Sequence, residues 1–83
     1  MNNINHDVLI LDCTLRDGGY YTEWDFGDQL VSKYLNAVSS ANIDMVELGL
    51  RNYGVNGYKG PHFYTTENYI NSIHLPDGPK YGL

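Results

Sequence analysis

An apolar tetrad, Val8-Leu9-Ile10-Leu11, runs without a break into Asp12-Cys13-Thr14-Leu15-Arg16-Asp17 and then into two glycines, Gly18 and Gly19. A hydrophobic strand that finishes in two carboxylates, a hydroxyl and a guanidinium presents polar groups at one end of a sheet. The pattern predicts a first strand over residues 8–15. A helix is predicted over residues 28–41, because Leu30, Val31, Tyr34, Leu35, Val38 and Ala41 recur with helical period and form one apolar stripe. Gly27 or Asp28 can cap its start, and an acid there suits the helix dipole. Asn42 stands where a left-handed C-terminal residue is expected, with Ile43 behind it as the hydrophobic contact. Residues 44–50, Asp-Met-Val-Glu-Leu-Gly-Leu, read as a second strand. Strands separated by a helix argue for a βαβ unit and a parallel sheet.

The rest of the chain continues this alternation. Residues 52–61 hold Gly54, Gly57, Gly60 and Pro61 and read as a loop. Thr65 or Thr66 can cap a short helix running to about Ile73. Residues 75–79 read as a turn, and residues 80–83 as the approach to a third strand. Two such units and a stub do not close an α/β domain, since a βα barrel needs eight strands and typically about 250 residues. The expected fold class is therefore α/β, with residues 1–83 forming the first two βα units of a larger barrel, truncated near strand 3.

Alternation along a strand sorts its side chains by face. If the first strand runs regularly, Leu9, Leu11, Cys13 and Leu15 share one face, packed against helices, with Cys13 in the core. Ile10, Asp12, Thr14 and Arg16 share the other. In the second strand Met45, Glu47 and Gly49 oppose Val46, Leu48 and Leu50. Asp12, Thr14, Arg16 and Glu47 then point to the C-terminal mouth of a barrel, where active-site groups sit, with Asp17 at the rim. Such a cluster can be an internal ion-pair layer. Burying several carboxylates beside one arginine is costly, however, unless something else balances the charge. A divalent cation with oxygen ligands, Mg²⁺ or Mn²⁺, would do so.

Bulk properties narrow the alternatives. With 5 basic and 10 acidic residues, the net charge of −5 argues against nucleic acid as a partner, because phosphate binding needs a basic patch. No apolar run approaches the roughly 20 residues of a membrane span, so no membrane partner is expected. The start, MNNINHD, lacks the basic and apolar regions of a signal peptide, and the single cysteine cannot form an internal disulfide. A cytoplasmic setting follows as the expectation. The 8 tyrosines can line a pocket for a sugar or organic acid, or cover a barrel rim.

The run Asp12-Cys13-Thr14-Leu15-Arg16-Asp17-Gly18 resembles the D-x-T-L-R-D-G signature of the metal-dependent pyruvate-aldolase, acyl-CoA lyase and isopropylmalate/homocitrate synthase superfamily. Asp44-Met45-Val46-Glu47-Leu48-Gly49 is similar to that family's D-x-I-E-x-G on the second strand. Gly60-Pro61-His62-Phe63-Tyr64 resembles a loop of the 4-hydroxy-2-oxovalerate aldolase-like branch. The resemblance covers residues 8–50 and implies a TIM barrel that makes or breaks carbon–carbon bonds of a 2-oxo acid substrate through a pyruvate-type enolate. It implies Asp17 as a metal ligand, Arg16 as the group that steadies an enolate oxygen, and Glu47 as an acidic group beside the substrate. Arg16, Tyr20, Tyr21 and His62 are the candidate substrate contacts.

The chain also departs from that family. The family completes its Mn²⁺ or Mg²⁺ site with a His-x-His pair, and His6, His62 and His74 form none. A histidine that follows the signature in the aldolases is replaced here by Gly19, Tyr20 and Tyr21. An unperturbed phenol titrates near 10 and is a poor base at neutral pH, so the tyrosines are expected to shape a pocket. His62, alone in a loop, is more simply a surface residue than a substrate contact. The alternatives are an acyl-CoA-dependent condensing enzyme of the same superfamily and a short non-catalytic binding or structural chain. For the chain by itself, inactivity and either self-association or pairing with the remainder of the barrel are expected.

Overall fold

The computed structural model of the chain describes residues 8–54 and 57–83. His6 and the N-terminal heptapeptide lie outside the described residues. Eight elements follow in order: β1 (Leu11–Asp12), α1 (Thr14–Asp17), α2 (Gly19–Thr22), α3 (Asp28–Ser40), β2 (Met45–Glu47), α4 (Pro61–Tyr64), α5 (Glu67–Ser72) and β3 (Lys80–Gly82). The three strands form a parallel sheet in the order β1-β2-β3. Leu11 pairs with Met45, and Val46 with Tyr81. The α/β class read from the sequence is what the fold shows.

Helix α3 supplies the layer that covers one face of the sheet. Val31, Leu35 and Val38, at i, i+4 and i+7, are buried against Leu15, Val46 and Leu48, with Tyr34, Ile43, Ile70 and Tyr81 around the cluster. Apolar area removed from water is worth about 25 cal/mol per Å², so these six side chains are the main source of stability. Leu30 and Ala41, expected in the stripe, are exposed, because α3 buries a narrower face than the sequence pattern offers. Asn42 takes the expected left-handed conformation (φ 60°), and the Ile43 N–H bonds to the Val38 carbonyl.

The expected first strand is much shorter than residues 8–15. Only Leu11 and Asp12 pair as a strand, and residues 14–17 form a helical turn. Val8, Leu9, Ile10 and Leu11 are exposed rather than buried, Val8 by 77%, since nothing among the described residues covers that edge and face of the sheet. The second strand also stops early, at Glu47. Leu48 still donates to the Gly82 carbonyl at 2.8 Å, but Gly49 (φ 153°) bends the chain away and Leu50 then donates to the His62 carbonyl at 2.9 Å.

Where the sequence suggests a loop running to Pro61, the chain forms a helical turn, α4. Pro61 opens it at the first helical position, where its missing N–H costs nothing. Helix α5 starts where expected, with the Thr66 hydroxyl accepting from the Tyr69 N–H at 3.1 Å. Among the described residues no helix is long and apolar enough to cross a membrane.

Candidate functional site

In parallel sheets, functional groups gather beyond the C-terminal ends of the strands. Here those ends carry Cys13 after β1 and Glu47 at the end of β2. The pairing of Leu11 with Met45 puts Leu11, Cys13, Met45 and Glu47 on the face of the sheet away from α3. The Cys13 thiol donates to Glu47 Oε1 at 2.9 Å, and the same oxygen lies 3.7 Å from Arg16 Nη1. Asp17 Oδ1 is 3.8 Å from that nitrogen. Arg16, Asp17 and Glu47, all expected in one site, are therefore brought together, with the guanidinium between two carboxylates. At these separations and in partly exposed positions, each pair is worth at most about 1 kcal/mol, so stability does not explain the arrangement.

Leu11, Asp12 and Cys13 fall on the opposite face from the one expected. Cys13 is not in the helix-facing core: it stands with Glu47 on the open face. Its thiol is pushed up to about 11, chiefly by the Glu47 hydrogen bond, with burial adding to it. The thiol is thus protonated at neutral pH and acts as a donor. Asp12 does not share the face of Glu47. It accepts from the Tyr34 hydroxyl of α3 and from the Thr14 N–H at 2.9 Å. Burial raises its carboxyl, but these hydrogen bonds outweigh burial and leave it below the ordinary 3.8. Burial and the Asp12 contact push the Tyr34 phenol upward.

The paired glycines have a local reason. Trp24 is buried, and its indole N–H donates to the Arg16 carbonyl at 2.8 Å. Its ring lies where a side chain at Gly19 would go: a Cβ there would stand 2.0 Å from the ring. Gly19 thus lets Trp24 brace the turn that carries Arg16. Tyr20 packs edge-on against the same ring, with centroids 4.7 Å apart, while Tyr21 is 93% exposed. Neither phenol reaches the Arg16 cluster through a hydrogen bond.

His62 is not a surface loop residue. It is 1% exposed, because α4 tucks it under the end of β2. Nδ1 donates to the Leu48 carbonyl at 2.6 Å, which leaves Nε2 to accept from the Tyr69 hydroxyl at 2.9 Å. Both ring nitrogens are committed inside the fold, so His62 ties α4 and α5 to the sheet and offers nothing to a substrate. Burial lowers its basicity, with Asp25 and Asp28 partly opposing. The folded chain therefore holds fewer protons than the unfolded one below about 6.5, and stability should fall as the pH drops through that value. Urea titrations between pH 7 and 5 should show this, with a slope of at most about 1.4 kcal/mol per pH unit from this one group. His62→Gln should reduce that dependence.

A divalent cation requires several converging oxygen ligands. Asp17 offers one exposed carboxylate beside a guanidinium, and Glu47 is already engaged by Cys13 and Arg16. Among the described residues no group of three or more His, Cys, Asp or Glu side chains is placed to hold a metal. These residues do not by themselves fit a Mg²⁺ or Mn²⁺ site. A cleft of about 190 Å³ borders Glu47 on the open face, lined also by Leu11, Met45, Lys80 and Leu83.

The Cys13–Glu47 contact is directly testable. Alkylation by iodoacetamide at pH 8 should be slow and should speed up steeply with pH. Glu47→Gln removes the charge that disfavours the thiolate and should accelerate it about tenfold or more, the factor that corresponds to one unit of thiol acidity. An unchanged rate would contradict the contact.

The fold and the strand-end cluster together define an α/β sheet with an acid–guanidinium group at the mouth of β1 and β2. No family profile matches the chain, and no curated protein does. Among solved structures, the chain is similar to the N-terminal domain of a "putative aldolase" from Bacteroides vulgatus, with 45% identity and a TM-score of 0.73 over 78% of this chain. The chain spans 22% of the length of that one. The similarity supports an aldolase-related fold.

Proposed function

We propose that residues 1–83 are the N-terminal part of a longer (β/α)8 barrel that cleaves or forms a carbon–carbon bond of a 2-oxo acid, in the manner of a 4-hydroxy-2-oxovalerate aldolase. One observation carries this reading: the Arg16 guanidinium is held between Asp17 and Glu47 at the C-terminal ends of adjacent parallel strands. Breaking the bond next to a carbonyl moves an electron pair toward that oxygen. A planar, permanently charged guanidinium fixed at that point stabilises the developing charge. Glu47 sets the guanidinium's position, and the neutral Cys13 thiol holds Glu47 without adding negative charge to the cluster.

The similarity to part of an aldolase chain supports the reaction class, and the uncovered apolar face of β1 supports a continuing barrel. The bound metal, Mn²⁺ or Mg²⁺, belongs to the proposal as well, with Asp17 as one ligand and the others supplied from beyond these residues. The setting is cytoplasmic, and no nucleic-acid or membrane partner is involved. By itself the chain lacks turnover and associates through its open sheet face. The test is a reading frame that continues past Leu83 and encodes a His-x-His pair about two hundred residues on, as barrel length requires. In that longer protein, Asp17→Asn should abolish the response of turnover to added Mn²⁺. A frame that stops at Leu83 would overturn the proposal, as would an Asp17→Asn protein with full metal-dependent activity.

A further inference from the structure

We infer that Asp12 and Tyr34 are positioning residues for Arg16: together they force the chain out of the strand, and that exit carries the guanidinium to Glu47. The inference rests on the reading of Arg16 as the group that receives charge from the substrate. The argument is one of parity. In a regular strand continuing from β1, Arg16 would share the face of Asp12 and point toward α3, while Leu15 would join Leu11 on the open face. The observed arrangement is the reverse. Leu15 is 2% exposed in the core with Val31 and Leu35, and Arg16 Nη1 lies 3.7 Å from Glu47 on the open face.

The reversal happens at Cys13, whose backbone (φ −117°, ψ 22°) is no longer extended. Its carbonyl accepts from the N–H groups of Arg16, at 3.1 Å, and Asp17, at 2.8 Å. The Asp12 carboxylate holds the start of this turn by accepting the Thr14 N–H, an otherwise unpartnered donor of a helix start. The Tyr34 hydroxyl, reaching across from the middle of α3, donates to the same Asp12 oxygen. Tyr34 packs its ring against the core, so its hydroxyl reports where α3 sits and fixes Asp12 accordingly. The other end of the turn is held by Trp24 on the Arg16 carbonyl. Arg16 is thus placed by two clamps, neither of which touches its guanidinium.

The experiment compares Tyr34→Phe, Asp12→Asn and Asp12→Ala. In the ¹⁵N-labelled 83-residue chain, the readouts are the Arg16 Nε–H signal and the Thr14 amide. Methyl signals of Leu35 and Val46 monitor the fold. With the fold retained, Tyr34→Phe and Asp12→Ala should move the Arg16 signal toward that of free arginine. Asp12→Asn, which keeps an oxygen acceptor, should restore most of the native position. In the longer protein, Tyr34→Phe should lower kcat about fivefold, the effect of one lost hydrogen bond, with little change in KM. Should Asp12→Ala not fold, Tyr34→Phe and Asp12→Asn decide. An Arg16 signal that stays native in a folded Tyr34→Phe chain overturns the inference. Absent turnover with the shifts as expected overturns the proposed function and leaves the positioning role standing.

Discussion

Gly49→Ala is expected to destabilise the fold by more than about 3 kcal/mol, the combined cost of backbone strain and a forced contact. Gly49 sits at φ 153°, which side-chain-bearing residues rarely adopt, and it lies where the chain leaves β2. An added Cβ would stand 2.2 Å from the His62 carbonyl oxygen and 2.8 Å from the Thr65 hydroxyl. The oxygen is backbone and cannot swing aside. Relief would require α4 to lift away, and that separates His62 from the Leu48 carbonyl and Thr65 from the Leu50 carbonyl, at 2.6 and 2.5 Å in the native fold. A chain of this length holds roughly 4–12 kcal/mol in total. Thermal unfolding followed by circular dichroism should show a midpoint lowered by at least about 12 °C, at about 4–8 °C per kcal/mol. A shift of only a few degrees would mean that α4 does not lie against Gly49.

The second large effect belongs to Arg16. Arg16→Lys retains the charge but replaces a planar fork of donors with a compact ammonium on a flexible stem. Glu47 and Asp17 both lie against one nitrogen of the fork, Nη1, at 3.7 and 3.8 Å, and a single ammonium drawn to the same carboxylates has no second nitrogen to present to a substrate. If Arg16 stabilises charge developing on a substrate oxygen, turnover of the longer protein should fall about a hundredfold or more, as when one preorganised donor is lost. Stability should hardly change, since exposed pairs at these distances contribute little. A loss under about tenfold would count against the charge-stabilising role.

The sequence made some elements plain and hid others for physical reasons. The spacing of Val31, Leu35 and Val38 marks α3 because a helix repeats that face, and Asn42 marks its end because its side chain tolerates the left-handed conformation. Glu47 was legible as a carboxylate opposite the buried face of β2. The faces of Asp12 and Cys13 were not, although the signal was present. An aspartate two residues before a threonine can bond the threonine's N–H and turn the chain, and that local bond outcompetes strand extension at Cys13. Reading Asp12-Cys13-Thr14 as a turn places Cys13 beside Glu47 and still leaves Leu15 in the core, where strand alternation also puts it. Tyr34 could not be linked to Asp12 from spacing alone, because they are joined only through the packing of α3 on the sheet. His62 looked like a surface loop residue because α4 has no helical periodicity, only a proline to start it.

The exposure of Val8 to Leu11 is a further contrast. Four apolar residues in a row read as a buried strand, and in a parallel sheet covered on both faces they would be. Their exposure here fits a sheet whose outer face and first edge await further strands, as proposed.

The central claim is most directly tested by incubating the longer protein with a 4-hydroxy-2-oxo acid and Mn²⁺ and following pyruvate by coupled oxidation of NADH. The account predicts that pyruvate and an aldehyde appear in equal amounts, and that the rate collapses in Arg16→Lys. Pyruvate release at an undiminished rate from Arg16→Lys, or no release by the native protein from any such acid, would contradict it.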